Sequence, residues 1–296
     1  MDLPDRIYHA ISWFGGNRVI LLAVPIILIV YFIVGKKEEL GRHAIQNTAA
    51  TIVVAGINLL AALLFFREIN AFAQSAYWSL GIPTLPADTW ATTPLWVVCI
   101  LGIVTKDFVD YWTHRAMHNK WLWPTHAAHH SDTYVNAFTT YRVHFLETIV
   151  MTVSYLVALT WLQIPHAIPF VAVLAAVHNM YVHMNIGFEH GPLKYLIASP
   201  AFHRWHHADV PEAHGKNLAN VMPIYDLMFG TYYYPHRCTE QMGALKSGIE
   251  DKNPILIWIY PFHQWGRMLR RRGRKAVAAL RRWRGKDRST DVTAAE

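Results

Sequence analysis

The chain has 296 residues, of which 53% are hydrophobic and only 16% charged, with a formal net charge of +7 at pH 7. A soluble domain usually carries about 25% charged residues, so the composition argues against an ordinary soluble enzyme. The two cysteines, Cys99 and Cys238, exclude a disulfide framework and a zinc ribbon.

The N-terminal stretch "MDLPDRIYHAISWFGG" is mixed in charge and is not read as a removable signal peptide. Apolar runs follow that approach the ~20 residues a membrane helix needs. The first is expected at Arg18–Gly35 and the second at Ala49–Phe66. A loop with Pro83, Pro86 and Trp90 comes next. The third run starts near Pro94 and continues towards His114; the fourth and fifth, near Phe145–Ile164 and Ile168–Val182, form a hairpin. Residues 237–254 read as a polar loop. The stretch from Ile255 to Trp283, "ILIWIYPFHQWGRMLRRRGRKAVAALRRW", mixes aromatics with arginines and reads as a helix lying on an anionic membrane surface rather than on nucleic acid.

These elements predict an all-α, polytopic membrane helical bundle of four to five spans with a cytoplasmic helical cap. Three regions are expected: membrane spans and an external loop in 1–92, a catalytic domain in 93–236, and a basic tail in 237–296. The lysines and arginines in "KKEELGR" and in the tail place those segments in the cytoplasm. Span three then delivers His114–His130 to the face to which the hairpin returns His183 and His203–His207.

The histidines carry the chemistry. "HRAMH" places His114 and His118 four residues apart; "HAAHH" holds His126, His129 and His130; "HRWHH" holds His203, His206 and His207. Residues three or four apart share one helix face, about 5–6 Å apart at Cβ, so each set can chelate a metal. Eight imidazoles exceed what one ion takes, so two metals are implied. His183 is a candidate ninth ligand and His178 a tenth. His9, His43, His166, His236 and His263 read as bystanders. Ligating imidazoles usually give their other N–H to a carboxylate or carbonyl. Asp110 and Glu147 are the acidic candidates for that role, with His144, Asn185 and Asn217 as further neighbours.

The segments "DYWTHRAMH", "THAAHHS", "HMNI", "FHRWHH" and "KNLANVMPIYDLMFGTY" resemble the fatty acid hydroxylase and sterol desaturase superfamily. The resemblance implies two iron ions, replaceable by zinc on purification, O2 as co-substrate, and hydroxylation or desaturation of a lipid C–H bond. It implies His114, His118, His126, His129, His130, His178, His183, His203, His206 and His207 as ligands. A separate electron donor is expected: a reductase, a ferredoxin or a b-type cytochrome. Leu218 and Tyr225 stand where the family's motif commonly has tyrosine and tryptophan, which points to a divergent branch and leaves the substrate open. Two other classes were weighed. A metal transporter would place ligands at the bilayer midplane, and a membrane zinc hydrolase would need no reductant.

Overall fold

The computed structural model describes residues 42–86, 88–164, 167–249 and 251–292. The first expected span and His166 lie outside the described residues. Within them the chain is all-helical; its only β pairing is an isolated bridge between Ala208 and Met242. No described helix is long and apolar enough to cross a membrane.

Among the described residues eight α-helices follow in order: α1 Arg42–Ser79, α2 Leu95–Met117, α3 Trp123–His130, α4 Phe145–Leu162, α5 Ile168–Val182, α6 Pro200–His206, α7 Ile224–Phe229 and α8 Pro254–Val292. Helix α5 has the bounds expected for the fifth run. Helix α1 continues 13 residues past Phe66, the expected end of the second run. Neither glycine nor proline interrupts the chain between Phe66 and Ser79, so the helical ladder continues through Arg67 and Glu68. It ends where Gly81 takes a left-handed φ of 63°.

Helix α2 is the spine of the region that carries the histidines. It begins after Pro94, whose own backbone is extended (ψ 137°). Its buried stripe runs Val98, Gly102, Lys106, Asp110, His114 and Met117, at the spacing of one helix face. The stripe therefore changes from apolar to polar along its length. At the apolar end Val98, Cys99, Leu159, Leu162, Ile164 and Val171 join α2 to α4 and α5. Gly102 permits this approach: a Cβ there would lie 2.8 Å from Val171 Cγ2. The loop before α2 closes over this end through Trp90 Nε1, which donates to the Leu162 carbonyl at 2.7 Å.

At the polar end α3 is clamped on several sides. Ala128 packs with Ala50 and Val54 of α1 and with Ile257 of α8. Ala127 packs with Ala244, Ile249 and Tyr260. Beyond its clamped first turns, α8 stays attached through Trp265 Nε1, which donates to the Trp121 carbonyl at 2.8 Å, and through Arg272, 4.6 Å over the Trp121 ring.

Arg142 ties these pieces together. It is wholly buried. It donates to Ser131 Oγ at 2.8 Å, to Asn47 Oδ1 at 2.6 Å, and to the Asp251 carbonyl at 2.5 Å. One guanidinium thus joins α1, the end of α3 and the entry to α8, with Asp132 and Asp251 offsetting its charge. Replacing it leaves buried acceptors unpaired. Arg142→Ala is expected to cost about 2–4 kcal/mol. Arg142→Lys should recover little of this, because an ammonium lacks the planar fork that reaches three elements. Thermal melting of the purified variants checks this; a lysine variant melting with wild type would contradict it.

Candidate metal centre

Four helices point their C-terminal ends at one place. The C-caps of α2, α3, α5 and α6 are His118, Ser131, His183 and His207. Each end carries a partial negative charge from unpaired carbonyls, which favours a cation between them. Local sequence starts the two shortest of these helices. Pro124 opens α3; Pro200 opens α6, where Ser199 Oγ also accepts the Phe202 N–H at 3.2 Å.

Nine imidazoles meet there in two groups. His114, His118, His126, His130 and His206 form one; His129, His183, His203 and His207 form the other. Within each group the nitrogens that face one another lie within 4.8 Å. The two sequence blocks interleave: the His114 and His206 rings are 4.6 Å apart and those of His130 and His206 4.5 Å.

The grouping corrects the pairing expected from spacing. Residues at i and i+4 share a group, as His126 with His130 and His203 with His207. The i+3 residues, His129 and His206, belong to the opposite group. Successive residues on a helix differ by about 100° around the axis, so each HH doublet straddles the two groups. His178 joins neither group. Five residues from His183, it sits about 140° away around α5, and its ring lies 5.8 Å from Tyr181.

The proton positions follow from the partners. A carbonyl only accepts. His114 Nδ1 lies 2.7 Å from the Leu218 carbonyl, His183 Nδ1 2.6 Å from that of Asn179, and His206 Nδ1 2.8 Å from that of Lys216. His126 Nδ1 lies 2.8 Å from Glu147 Oε1. Each Nδ1 therefore donates, and in the neutral ring each Nε2 is a bare lone pair. Two of these bare nitrogens, those of His114 and His126, face one another directly, and in both groups the Nε2 atoms of further imidazoles crowd around them. His114 and His126 Nε2 are 2.9 Å apart, and His126 and His130 Nε2 3.1 Å. In the other group His183 Nε2 is 3.1 Å from His129 and His203 Nε2 and 3.2 Å from His207 Nε2. His118 and His206 Nε2 are buried with no hydrogen-bond partner. Two nitrogens at right angles about an ion, each ~2.1 Å from it, sit about 3 Å apart. The residues present fit a metal in each group.

The other expected neighbours fall out as follows. Asp110 pairs with Lys106 on its own helix, while His114 gives its proton to Leu218. His144 caps α4, its Nδ1 accepting the Leu146 N–H at 3.1 Å, and its Nε2 donates to the Trp258 carbonyl of α8 at 2.9 Å. Asn217 bonds the Phe202 and Tyr233 carbonyls. Asn185 is half-buried just past His183. Two residues that hold the site, Arg142 and Asp226, escaped notice from spacing. Asp226 lies inside the quoted "IYDLMF", but a lone acid in an apolar string carries no spacing signal.

Burial, and after it the neighbouring imidazoles, lowers the pKa of His126, His130, His203 and His207 well below the ordinary value. Burial also brings His114 and His183 down to about 4, although the bonded carbonyls oppose it. Neutral rings are the form that ligates. In the metal-free protein these groups bind protons less readily folded than unfolded. Their stability contribution is therefore complete above the unfolded value of about 6.5 and is lost as pH falls towards 4. Melting temperature of metal-free protein should fall steeply between pH 6.5 and 4; a flat profile over that range would contradict buried neutral imidazoles.

Comparison with known proteins adds the family. The fatty acid hydroxylase family model matches residues 99–231, the segment that holds all nine imidazoles. An ornithine lipid hydroxylase from Rhizobium tropici is 30% identical over 51% of this chain and 45% of its own length. An alkylglycerol monooxygenase from Danio rerio is 27% identical over 78% of this chain and 48% of its own. A very-long-chain aldehyde decarbonylase from Oryza sativa is 30% identical over 58% of this chain and 27% of its own. The chain thus spans about half or less of the curated relatives it matches. No solved structure matches. The segment 99–231, with its two imidazole groups, thus matches the fatty acid hydroxylase family.

Proposed function

We propose that the protein is a multi-pass membrane enzyme, a non-haem di-iron oxygenase that hydroxylates or desaturates a C–H bond of a lipid. The observation that carries this is the convergence of nine imidazoles in two adjacent groups within the segment that matches the fatty acid hydroxylase family. The similarity to an ornithine lipid hydroxylase and to alkylglycerol monooxygenases supports a lipid substrate.

His114, His118, His126, His130 and His206 would hold one ion, and His129, His183, His203 and His207 the other. When bound, the iron pair would supply O2 activation, redox chemistry that side chains do not offer. The nitrogen set suits iron and also zinc, which would take the same positions in protein purified without added iron. Glu147 and the carbonyls of Leu218, Lys216 and Asn179 fix which ring nitrogen faces inward. Hydroxylation consumes O2, two electrons and two protons and yields the alcohol and water; desaturation yields the alkene and two waters. The electrons come from a separate reductase, ferredoxin or b-type cytochrome. The chain works on a lipid substrate and needs no nucleic acid.

Helix α2 supports the membrane reading. Its inner stripe carries Lys106, Asp107 and Asp110, all buried, while Trp96 and Ile100 on its outer side are 67% and 54% exposed. A helix polar inside and apolar outside suits lipid around it. With the basic segments cytoplasmic, the metal centre faces the cytoplasm, at the inner membrane in a bacterium.

The test is lipid analysis of cells with and without the gene. A lipid gaining one oxygen, or losing two hydrogens, is expected only where the gene is present. His118→Ala and His206→Ala should abolish that product. His178→Ala should keep its metal and retain partial activity, because its ring stands outside both groups. Unchanged product from His118→Ala would contradict the proposal.

A further inference from the structure

Two ligands of the five-imidazole group end on one short stretch of backbone. His206 gives its Nδ1 proton to the Lys216 carbonyl and His114 gives its own to the Leu218 carbonyl. The first ring comes from α6 and the second from α2. No imidazole of the other group bonds to this stretch among the described residues. Whatever fixes residues 216–219 therefore fixes two ligands of one ion and none of the other.

Asp226, wholly buried at the start of α7, does the fixing. Its Oδ1 accepts the Leu218 N–H at 2.7 Å and its Oδ2 the Ala219 N–H at 2.9 Å. The Thr231 hydroxyl donates to Oδ1 at 2.7 Å. Asn217, between the two carbonyls, has a left-handed φ of 54°, a conformation that asparagine tolerates better than most residues. Its backbone N–H donates to the Thr231 carbonyl at 2.9 Å, and its side chain bonds Phe202 and Tyr233. Asp226 and Asn217 thus hold the stretch from opposite sides.

We infer that Asp226 is a positioning residue for one ion only: through Leu218 it sets the His114 ring, and with it the affinity of the five-imidazole group. The inference rests on the two-ion reading of the centre. Both carboxylate oxygens of Asp226 are used as acceptors. Asparagine offers one acceptor and one NH2, and the NH2 would meet the Ala219 or Leu218 N–H donor to donor. The carbonyl under His114 then shifts.

The experiment is cobalt(II) titration of metal-free full-length protein, followed by the visible d–d absorption of the bound ion. Wild type is expected to take up two cobalt ions. Asp226→Asn should weaken one of them about 10–100-fold, the range for losing a residue that orients a ligand, and leave the other unchanged. Asp107→Asn is the control. Asp107 also accepts two N–H groups of the same loop, from Val221 and Met222 at 2.9 and 2.7 Å, but no imidazole of either group hangs from that part. It should bind both ions as wild type does. If Asp226→Asn does not fold, Thr231→Val serves instead; it removes one donor to Asp226 and should weaken the same ion by a smaller factor. Equal binding by wild type and Asp226→Asn, or by wild type and Thr231→Val where that is the variant used, overturns the inference. So does equal weakening in Asp226→Asn and Asp107→Asn. Fewer than two cobalt ions in wild type overturns the two-ion reading itself, and the inference with it.

Discussion

Buried nitrogen lone pairs aimed at one another are the constraint to which the rest of this protein answers. The bare Nε2 atoms of His114 and His126, 2.9 Å apart, repel unless a cation lies between them. Every nearby feature serves to keep those rings neutral and pointed inward. Carbonyls of Leu218, Lys216 and Asn179 and the carboxylate of Glu147 take the Nδ1 protons. Burial suppresses protonation. Four helix C-termini add negative potential at the same point.

Helix geometry then divides the rings. An HH doublet spans about 100° of arc, too much for one ion and suited to two neighbouring ones. The motif HxxHH, used twice, contributes a chelating i, i+4 pair to one group and the intervening residue to the other. Helix α2 contributes the simpler HxxxH, and α5 a single histidine at its end. The bundle that presents these helices carries buried charge and exposed apolar residues, and Arg142 fastens its polar end.

Much of this was legible in the sequence. The i, i+4 pairs His114–His118, His126–His130 and His203–His207 needed only spacing, and Ile168–Val182 was bounded by proline and by the histidine that caps it. Three things were not legible. Which of His129 and His130 joins which group depends on the direction of approach of α6, a tertiary fact. His178 looked like a ligand because it precedes His183 on an apolar helix, but their five-residue offset turns it away. Asp226 and Arg142 act on backbone groups distant in sequence, through bonds that leave no periodic trace. Helix α1 outlasts the apolar run that ends at Phe66, because no glycine or proline breaks its ladder before Gly81.

The central claim is that the nine rings hold two ions. It is tested most directly by metal analysis of the full-length protein, purified anaerobically and loaded with ferrous iron. The account predicts about two irons per chain. One tightly held ion per chain, in protein that turns over its lipid substrate at full rate, would contradict it.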